Sequence, residues 1–443
     1  MLKIKQKIGY GLGDTASNIV FQAVANFMLI FYTDVFGLSA AAAGTVLGVV
    51  RLLDAVTDPI MGGIADRTRT KWGSYRPYLL WVAIPFALLA VLAFSTPSLS
   101  DGAKFIYALI TYAAMMMAYT AINIPYAALG GVMTTNPRER ASLQAYRFTF
   151  AMIGAMLVVW CIPKLVAHFG SGDDAHGYQI AMVIMGGVAV LCFVACFYYT
   201  TEKPSEQAAT PKGNIAVDFL SLFKNDQWLI VAAISLCILI LFALRISVAP
   251  HYVKYYLGQD AAFLANFLLL SNLGAVVAAV CTNYLSRSVE KKTLLLLGCI
   301  GLAIFGFVLG VLPAHSTLLI VACFVGTQYC QNVVVILMFS MVADTVDYGV
   351  EKTGKRVMGM TFSGHLLAIK AGFGIGGLSA GWLLGYYGFI ANQTQTAHTL
   401  AGIANIFGTI PSYFAVLCAG LVLFYKLDTR SVEAIQARAK LNS

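Results

Sequence analysis

AAAAGTVLGVVRLLDAVTDPIMGGI, residues 40–64, is uncharged except at Arg51, Asp54 and Asp58. Its length suits a membrane-crossing helix, for which about 20 apolar residues suffice. A charge at the centre of such a helix costs roughly 2.5–3.5 kcal/mol on insertion scales. Offsets of three and four residues put all three charges on one helical face, with neighbouring Cβ atoms about 5–6 Å apart. Two carboxylates and a guanidinium on one stripe cannot face lipid, so they face a bundle interior or a wet cavity. Carboxylates one turn apart can share a proton or clamp a metal ion, with the arginine nearby. That is the chemistry of ion coupling.

The rest of the chain fits this reading. Of its 443 residues, 59% are hydrophobic and 11% charged, against about 25% charged in soluble proteins. An integral membrane protein follows. About twelve bilayer-length segments are predicted, at 9–33, 40–64, 78–98, 104–132, 148–168 and 178–200, then at 227–253, 261–286, 293–313, 317–343, 357–388 and 399–426. The longer ones are expected to tilt or break at their internal Gly and Pro.

A net charge of +9 raises the question of nucleic acid, but its distribution answers otherwise. Lys3, Lys5 and Lys7 precede the first segment. Arg67, Arg69, Lys71 and Arg76 follow the second, and Arg138, Arg140 and Arg147 the fourth. Lys203, Lys212 and Lys224, then Arg287, Lys291 and Lys292, then Lys352, Lys355 and Arg356 continue the pattern, and Lys426, Arg430, Arg438 and Lys440 mark the tail. The alternate loops hold only Lys104, Lys164 and Lys254. By the positive-inside rule both termini and the basic loops are cytoplasmic. Basicity orients the protein and excludes a nucleic-acid role. No cleavable signal peptide is visible at the start. The nine cysteines fall in predicted helices without a CxxC pair, which reads as packing.

One long polar interruption, Thr201–Asp226, divides the chain. The expected organisation is an N-terminal six-helix bundle over 1–200, a cytoplasmic loop over 201–226, a C-terminal six-helix bundle over 227–427 and a cytoplasmic tail over 428–443. Ile215–Phe223 is amphipathic enough to lie along the cytoplasmic interface. Basic loops recur at matching places in the halves: 66–77 and 286–292, then 134–147 and 344–356. Two halves around a midplane site is the architecture of alternating-access carriers. The loop DRTRTKWGSYRP, 66–77, is suited to a cytoplasmic charge network that breaks when the inside opens.

Other polar residues inside predicted segments are few. Asp14 and Arg245 fall near segment ends, where snorkelling competes with function. Lys370, within AIKAGFGIGG, lies mid-segment, so a partner in Asp54 or Asp58 is the economical expectation. Asn18 and Asn123 each offer donor and acceptor, as sugar hydroxyls require, and Tyr119, Tyr126 and Tyr146 have faces that can stack on a pyranose. Interhelical hydrogen bonding, worth about 0.6 kcal/mol on average, is the competing explanation. His365 is the histidine lying well inside a segment. Nothing resembles a nucleophile–base pair or a metal motif, so an enzyme is not expected.

The segments GYGLGDTASN (9–18), FYTDVFGLS (31–39), RLLDAVTDPIMG (51–62), RPYLLW (76–81), YTAINIPYAAL (119–129) and MVADTVDYG (341–349) resemble the glycoside–pentoside–hexuronide:cation symporters. These are a branch of the major facilitator superfamily, and the likeness runs from Ile8 nearly to the end. The resemblance implies an all-α membrane protein of twelve transmembrane helices, with the major facilitator fold in two six-helix halves. Asp54 and Asp58 match the family's cation-site carboxylates, which would be metal ligands if sodium is the ion, and Thr120 matches the hydroxyl that completes the site. Thr57 stands where the melibiose carrier of this family has an asparagine, which favours a proton over sodium. Arg51 and Lys370 match charged residues linking the cation and sugar sites. Arg147 matches a basic residue of the sugar pocket, and His365 a sugar-facing amide. Asn18 and Asn123 replace two aspartates of the melibiose carrier, which removes repulsion toward a negatively charged sugar.

The expected function is thus import of a glycoside, pentoside or hexuronide, with glucuronides and xylosides favoured, coupled to H⁺ or Na⁺ by alternating access. The expected partners are a small-molecule sugar, the coupling cation and the lipid bilayer, with no cofactor and no nucleic acid. The protein is expected as a monomer in a bacterial inner membrane. A lipid or drug carrier on the same fold, and a sugar sensor that does not transport, remain open.

Overall fold

The computed structural model describes residues 2–134, 136–202, 222–286, 288–353, 358–428, 431 and 435. Among them every regular element is helical. The first run comprises α1 (Ile4–Ile30), π1 (Phe31–Val35), α2 (Ala40–Arg67), α3 (Tyr78–Trp81), α4 (Ala83–Ala93), α5 (Asp101–Met133), α6 (Pro137–Gly170) and α7 (Asp174–Tyr199). The second comprises α8 (Asp226–His251), π2 (Tyr252–Tyr256), α9 (Ala261–Leu285), α10 (Lys291–Val311), α11 (Thr317–Thr353), α12 (Met358–Tyr386), α13 (Ala397–Ala404), π3 (Asn405–Thr409) and α14 (Ile410–Phe424). Ten helical runs among the described residues are long and apolar enough to cross a membrane. α2, 28 residues long, and the shorter run Tyr78–Ala93 occupy the other two expected segments.

Local chemistry explains the boundaries. The Ser39 hydroxyl accepts from the Ala42 N–H at 3.3 Å and opens α2, and Asp173 does the same for α7 through Ala175 and His176. Such caps satisfy amides that the first helical turn leaves without partners. The segment expected over 78–98 breaks at Val82, because Pro85 cannot donate to the carbonyl four residues back. Two of the expected loops are partly helix. Asn136 and Pro137 start α6 before the apolar run begins, with Asn136 accepting from Glu139 and Arg140 and proline pre-set for the first turn. α11 likewise runs on through Asp344 and Lys352 to Thr353. Of the expected interfacial stretch 215–223, residues 215–221 lie outside the described residues.

The chain forms two compact units. The first gathers Met1–Ala208 with Val253–Leu269 and Leu384–Gln395. In it α1 packs on α6 and α7, and α2 packs on α5. α1 and α6 approach closely because Gly154 has no side chain: a Cβ there would stand 3.0 Å from the Thr15 carbonyl oxygen. The Thr15 hydroxyl donates to Phe150 O at 2.8 Å across the same seam. Small residues and such bonds replace the hydrophobic drive that lipid removes.

Two polar clusters tie down loops of this unit. Asp34, in π1, has a side chain only 2% exposed and accepts from Lys254 Nζ at 2.6 Å and from Tyr255 Oη at 2.5 Å. Asn392 Nδ2 donates to Asp34 O at 2.6 Å, while its Oδ1 accepts from Lys254. Asn392 holds φ of 58°, a left-handed conformation asparagine tolerates better than most residues. In the loop after α2, the Glu202 carboxylate accepts from the amides of Ser74, Tyr75 and Arg76 at 2.8, 3.0 and 3.3 Å. Gly73, at φ 109°, leaves room for it, since a Cβ there would collide with the carboxylate. Burial and the Asp66 carboxylate it donates to push the Tyr75 hydroxyl up to about 12, so it stays a donor. The 66–77 loop is therefore a built structure rather than a solvated one.

The second unit gathers Ala209–Tyr252, Leu270–Leu383 and Thr396–Ser443. α8 packs on α14 and α11, and α10 on α11, α14 and π3, around a core that includes Ile238, Leu241, Leu302, Val334 and Cys418. Asn225 serves this unit twice, accepting from Trp228 N at 2.9 Å and donating to Thr345 O at 2.8 Å. Lys291 pairs with Asp344 at 2.9 Å and Lys352 with Asp226 at 2.5 Å.

Candidate functional site

The charged stripe of α2 meets α5 at Thr120. Its hydroxyl lies 2.8 Å from Asp54 Oδ1 and 3.1 Å from Asp58 Oδ1. Thr120 is 2% and Asp54 3% exposed, while Asp58 is half-buried. A threonine hydroxyl has one proton to donate, so it satisfies one of these carboxylates at a time. The hydroxyl lies between the two carboxylates and draws their oxygens into one polar grouping. The grouping of three oxygens is thus suited to binding exchangeable positive charge. Thr57 spends its hydroxyl locally, donating to Asp54 O at 3.2 Å. The Arg51 guanidinium lies over the Phe21 ring at 5.1 Å and beside the Tyr112 hydroxyl.

A second constellation in the same unit joins α1, α5 and α6. Arg147 Nε lies 3.3 Å from Asp14 Oδ2, and its guanidinium lies over the Tyr126 ring at 5.4 Å. Asp14, expected near a segment end, stands well inside α1 and is 6% exposed. It pairs inward instead of snorkelling. One turn on, Asn18 Nδ2 donates to Asp14 O at 2.9 Å. Asn123 Nδ2 reaches Tyr119 Oη at 3.4 Å, and its Oδ1 is buried with no hydrogen-bond partner among the described residues. Tyr126 is not available to stack on a sugar: its ring stacks on Tyr10 at 4.8 Å, and its hydroxyl donates to Tyr10 O. Tyr119 stands between Phe21 and Phe86.

In the second unit His365 is fully buried, with Nδ1 3.1 Å from Ser235 Oγ and its ring edge-on to Phe339. Its Nε2 has no partner among the described residues. Lys370 lies five residues on in α12 and is half-buried. Arg245, also expected near a segment end, is 0% exposed in α8 and donates through Nε to Phe407 O in π3. Phe407 O is free to accept because the residue four on, Pro411, has no N–H to offer it, and the guanidinium answers it.

Asp54 and Asp58 were identifiable from helical spacing, and Thr120 from the resemblance. Asp14 is the functional candidate that sequence reasoning left undecided, and the signal was a half-buried opposite charge, Arg147, on a helix far away in sequence.

Comparison with known proteins bears on the family. The family described as "MFS/sugar transport protein" matches residues 9–429. The inner membrane symporter YicJ of Escherichia coli is 36% identical over 98% of this chain and 94% of its own length. The isoprimeverose transporter of Lactiplantibacillus pentosus is 34% identical over 97% and 90%, and the glucuronide carrier protein homolog of E. coli 33% over 97% and 93%. Among solved structures, a bacterial homolog of the human lysosomal transporter Spinster superposes with a TM-score of 0.70 at 13% identity, covering 96% of this chain and 97% of that one.

Proposed function

The chain belongs to the MFS/sugar transport protein family, a membrane carrier and not an enzyme, and on that premise we propose that it is a sugar:cation symporter importing a glycoside, pentoside or hexuronide with H⁺ or Na⁺. The observation that carries this reading is the single Thr120 proton shared between Asp54 and Asp58. A carrier coupled to an ion needs a site whose charge changes when the ion binds, and this one changes by one unit in a buried place. Thr57 stands beside the pair as an auxiliary cation residue. The proposed sugar ligands are Asn18, Asn123 and Arg147 of the first unit and His365 and Lys370 of the second. Arg51 and Lys370 link the two functions by charge.

Cation binding at Asp54 and Asp58 lowers the cost of their buried charge and favours sugar binding. Linkage then requires each ligand to raise the other's affinity by the same factor. The carrier works by alternating access as a monomer in a bacterial inner membrane, with both termini cytoplasmic. The test is sugar uptake into proteoliposomes under a proton gradient or a Na⁺ gradient, comparing the wild type with Asp58→Asn. Uptake driven by one gradient and lost in the variant is expected. Undiminished accumulation by Asp58→Asn refutes the assignment.

A further inference from the structure

Whether the sugar carries a charge is left open by the relatives, whose names include both an isoprimeverose transporter and a glucuronide carrier homolog. The Asp14–Arg147 pair bears on that choice. Arginine stays protonated in any protein environment, so an unpaired Arg147 would attract a sugar carboxylate strongly and in a fork geometry. Here its Nε stands 3.3 Å from the Asp14 carboxylate as an ion pair without hydrogen-bond geometry, with 9% of the Asp14 side chain and 23% of the Arg147 side chain exposed. Tyr126 closes one face of the guanidinium at 5.4 Å. The two Nη groups donate to no described residue, which leaves that edge for a ligand. Asn18 stands one turn from Asp14, and Asn123 one turn from Tyr126 with an unpartnered buried Oδ1. The polar groups one helical turn from this cluster are thus amides, and the guanidinium is one whose charge Asp14 already balances.

We propose that Asp14 is a positioning and specificity residue that fixes the Nε edge of Arg147 and cancels its charge, so that the Nη edge donates to sugar hydroxyls and the carrier selects uncharged glycosides over hexuronides. This rests on the reading of Arg147 as a sugar ligand. A carboxylated sugar would bring a second anion to a guanidinium already paired, and the like charges would repel.

The experiment uses the full-length carrier in proteoliposomes under an imposed cation gradient. Uptake of p-nitrophenyl β-xyloside is measured, with p-nitrophenyl β-glucuronide as competitor. The wild type should take up the xyloside and be inhibited weakly by the glucuronide. Asp14→Asn should shift the ratio of the two affinities toward the glucuronide by about tenfold or more, and Asp14→Glu should restore the original preference in part. If Asp14→Asn does not fold, Asp14→Asn/Arg147→Gln serves instead, and it should bind the xyloside more weakly without gaining affinity for the glucuronide. A wild type that prefers the glucuronide overturns the proposal, as does a variant that changes both affinities by one common factor. A wild type that takes up neither sugar, nor any other glycoside, overturns the carrier reading beneath it.

Discussion

Thr120→Val tests the cation site while leaving its shape almost unchanged. Valine has nearly the volume of threonine and the same branching, so the α2–α5 contact should survive. What disappears is a hydroxyl 2.8 Å from Asp54 and 3.1 Å from Asp58, at a position only 2% exposed. A buried hydrogen bond to a charged group contributes about 1.5–3 kcal/mol, which is roughly a ten- to hundredfold change in an equilibrium constant. The effect depends on the ion. For Na⁺ the variant has lost a ligand oxygen, so the half-saturating Na⁺ concentration should rise by that factor. For H⁺ the variant has lost the group that holds the two carboxylates together, so proton-driven uptake should fall by a comparable factor. Sugar uptake by the purified variant, titrated in Na⁺ at fixed pH and in pH without Na⁺, reads both cases. A folded variant whose dependence on both ions matches the wild type would refute the argument that Thr120 belongs to the site.

Three further outcomes follow from the loops. Lys254→Ala removes the 2.6 Å partner of the nearly buried Asp34 and should lower stability by about 1–3 kcal/mol, discounted for the exposed lysine; an unchanged melting temperature in detergent would count against the cluster, and Lys254→Arg should retain most of it. Gly73→Ala forces an L side chain to φ 109° against Glu202 and should cost about 1–3 kcal/mol, read as a lower melting temperature that Glu202→Ala alone reproduces only in part. Glu139 is held below its ordinary range by the Leu2 N–H and then by the Thr134 hydroxyl. That tie is complete above the ordinary value of 4.5 and is lost as pH falls through the lowered one, so the protection of the Leu2 amide, taken relative to its intrinsic exchange rate at each pH, should fall on acidification, and an unchanged protection would contradict it.

How much of this was legible in the chain depended on distance along it. The helices were, because a bilayer-length apolar run has few alternatives, and the α2 stripe was, because residues three and four apart share a face. The partner of that stripe was not. Thr120 lies 66 and 62 positions from Asp54 and Asp58, and only the resemblance named it. Asp14 and Arg245 were ambiguous for a different reason. Near a segment end, snorkelling and pairing leave the same sequence trace, and the choice is made by which side chain another helix presents. The start of α6 and the end of α11 escaped because helix continues past the apolar run wherever caps and neighbours support it.

The π segments at Phe31–Val35, Tyr252–Tyr256 and Asn405–Thr409 left no trace in composition, yet they change how the chain must be indexed. Each wide turn holds a surplus residue, so the angular phase of every later side chain slips by about 100° relative to an unbroken α-helix. A helical wheel drawn straight through residues 4–35 therefore misplaces Asp34, and one drawn through 397–424 misplaces everything after Thr409. Removing a single residue from Phe31–Val35 would reset the phase. Asp34 would then swing away from Lys254 and Tyr255 without any change in its own identity, making the length of this segment, and not only its letters, part of what the sequence specifies.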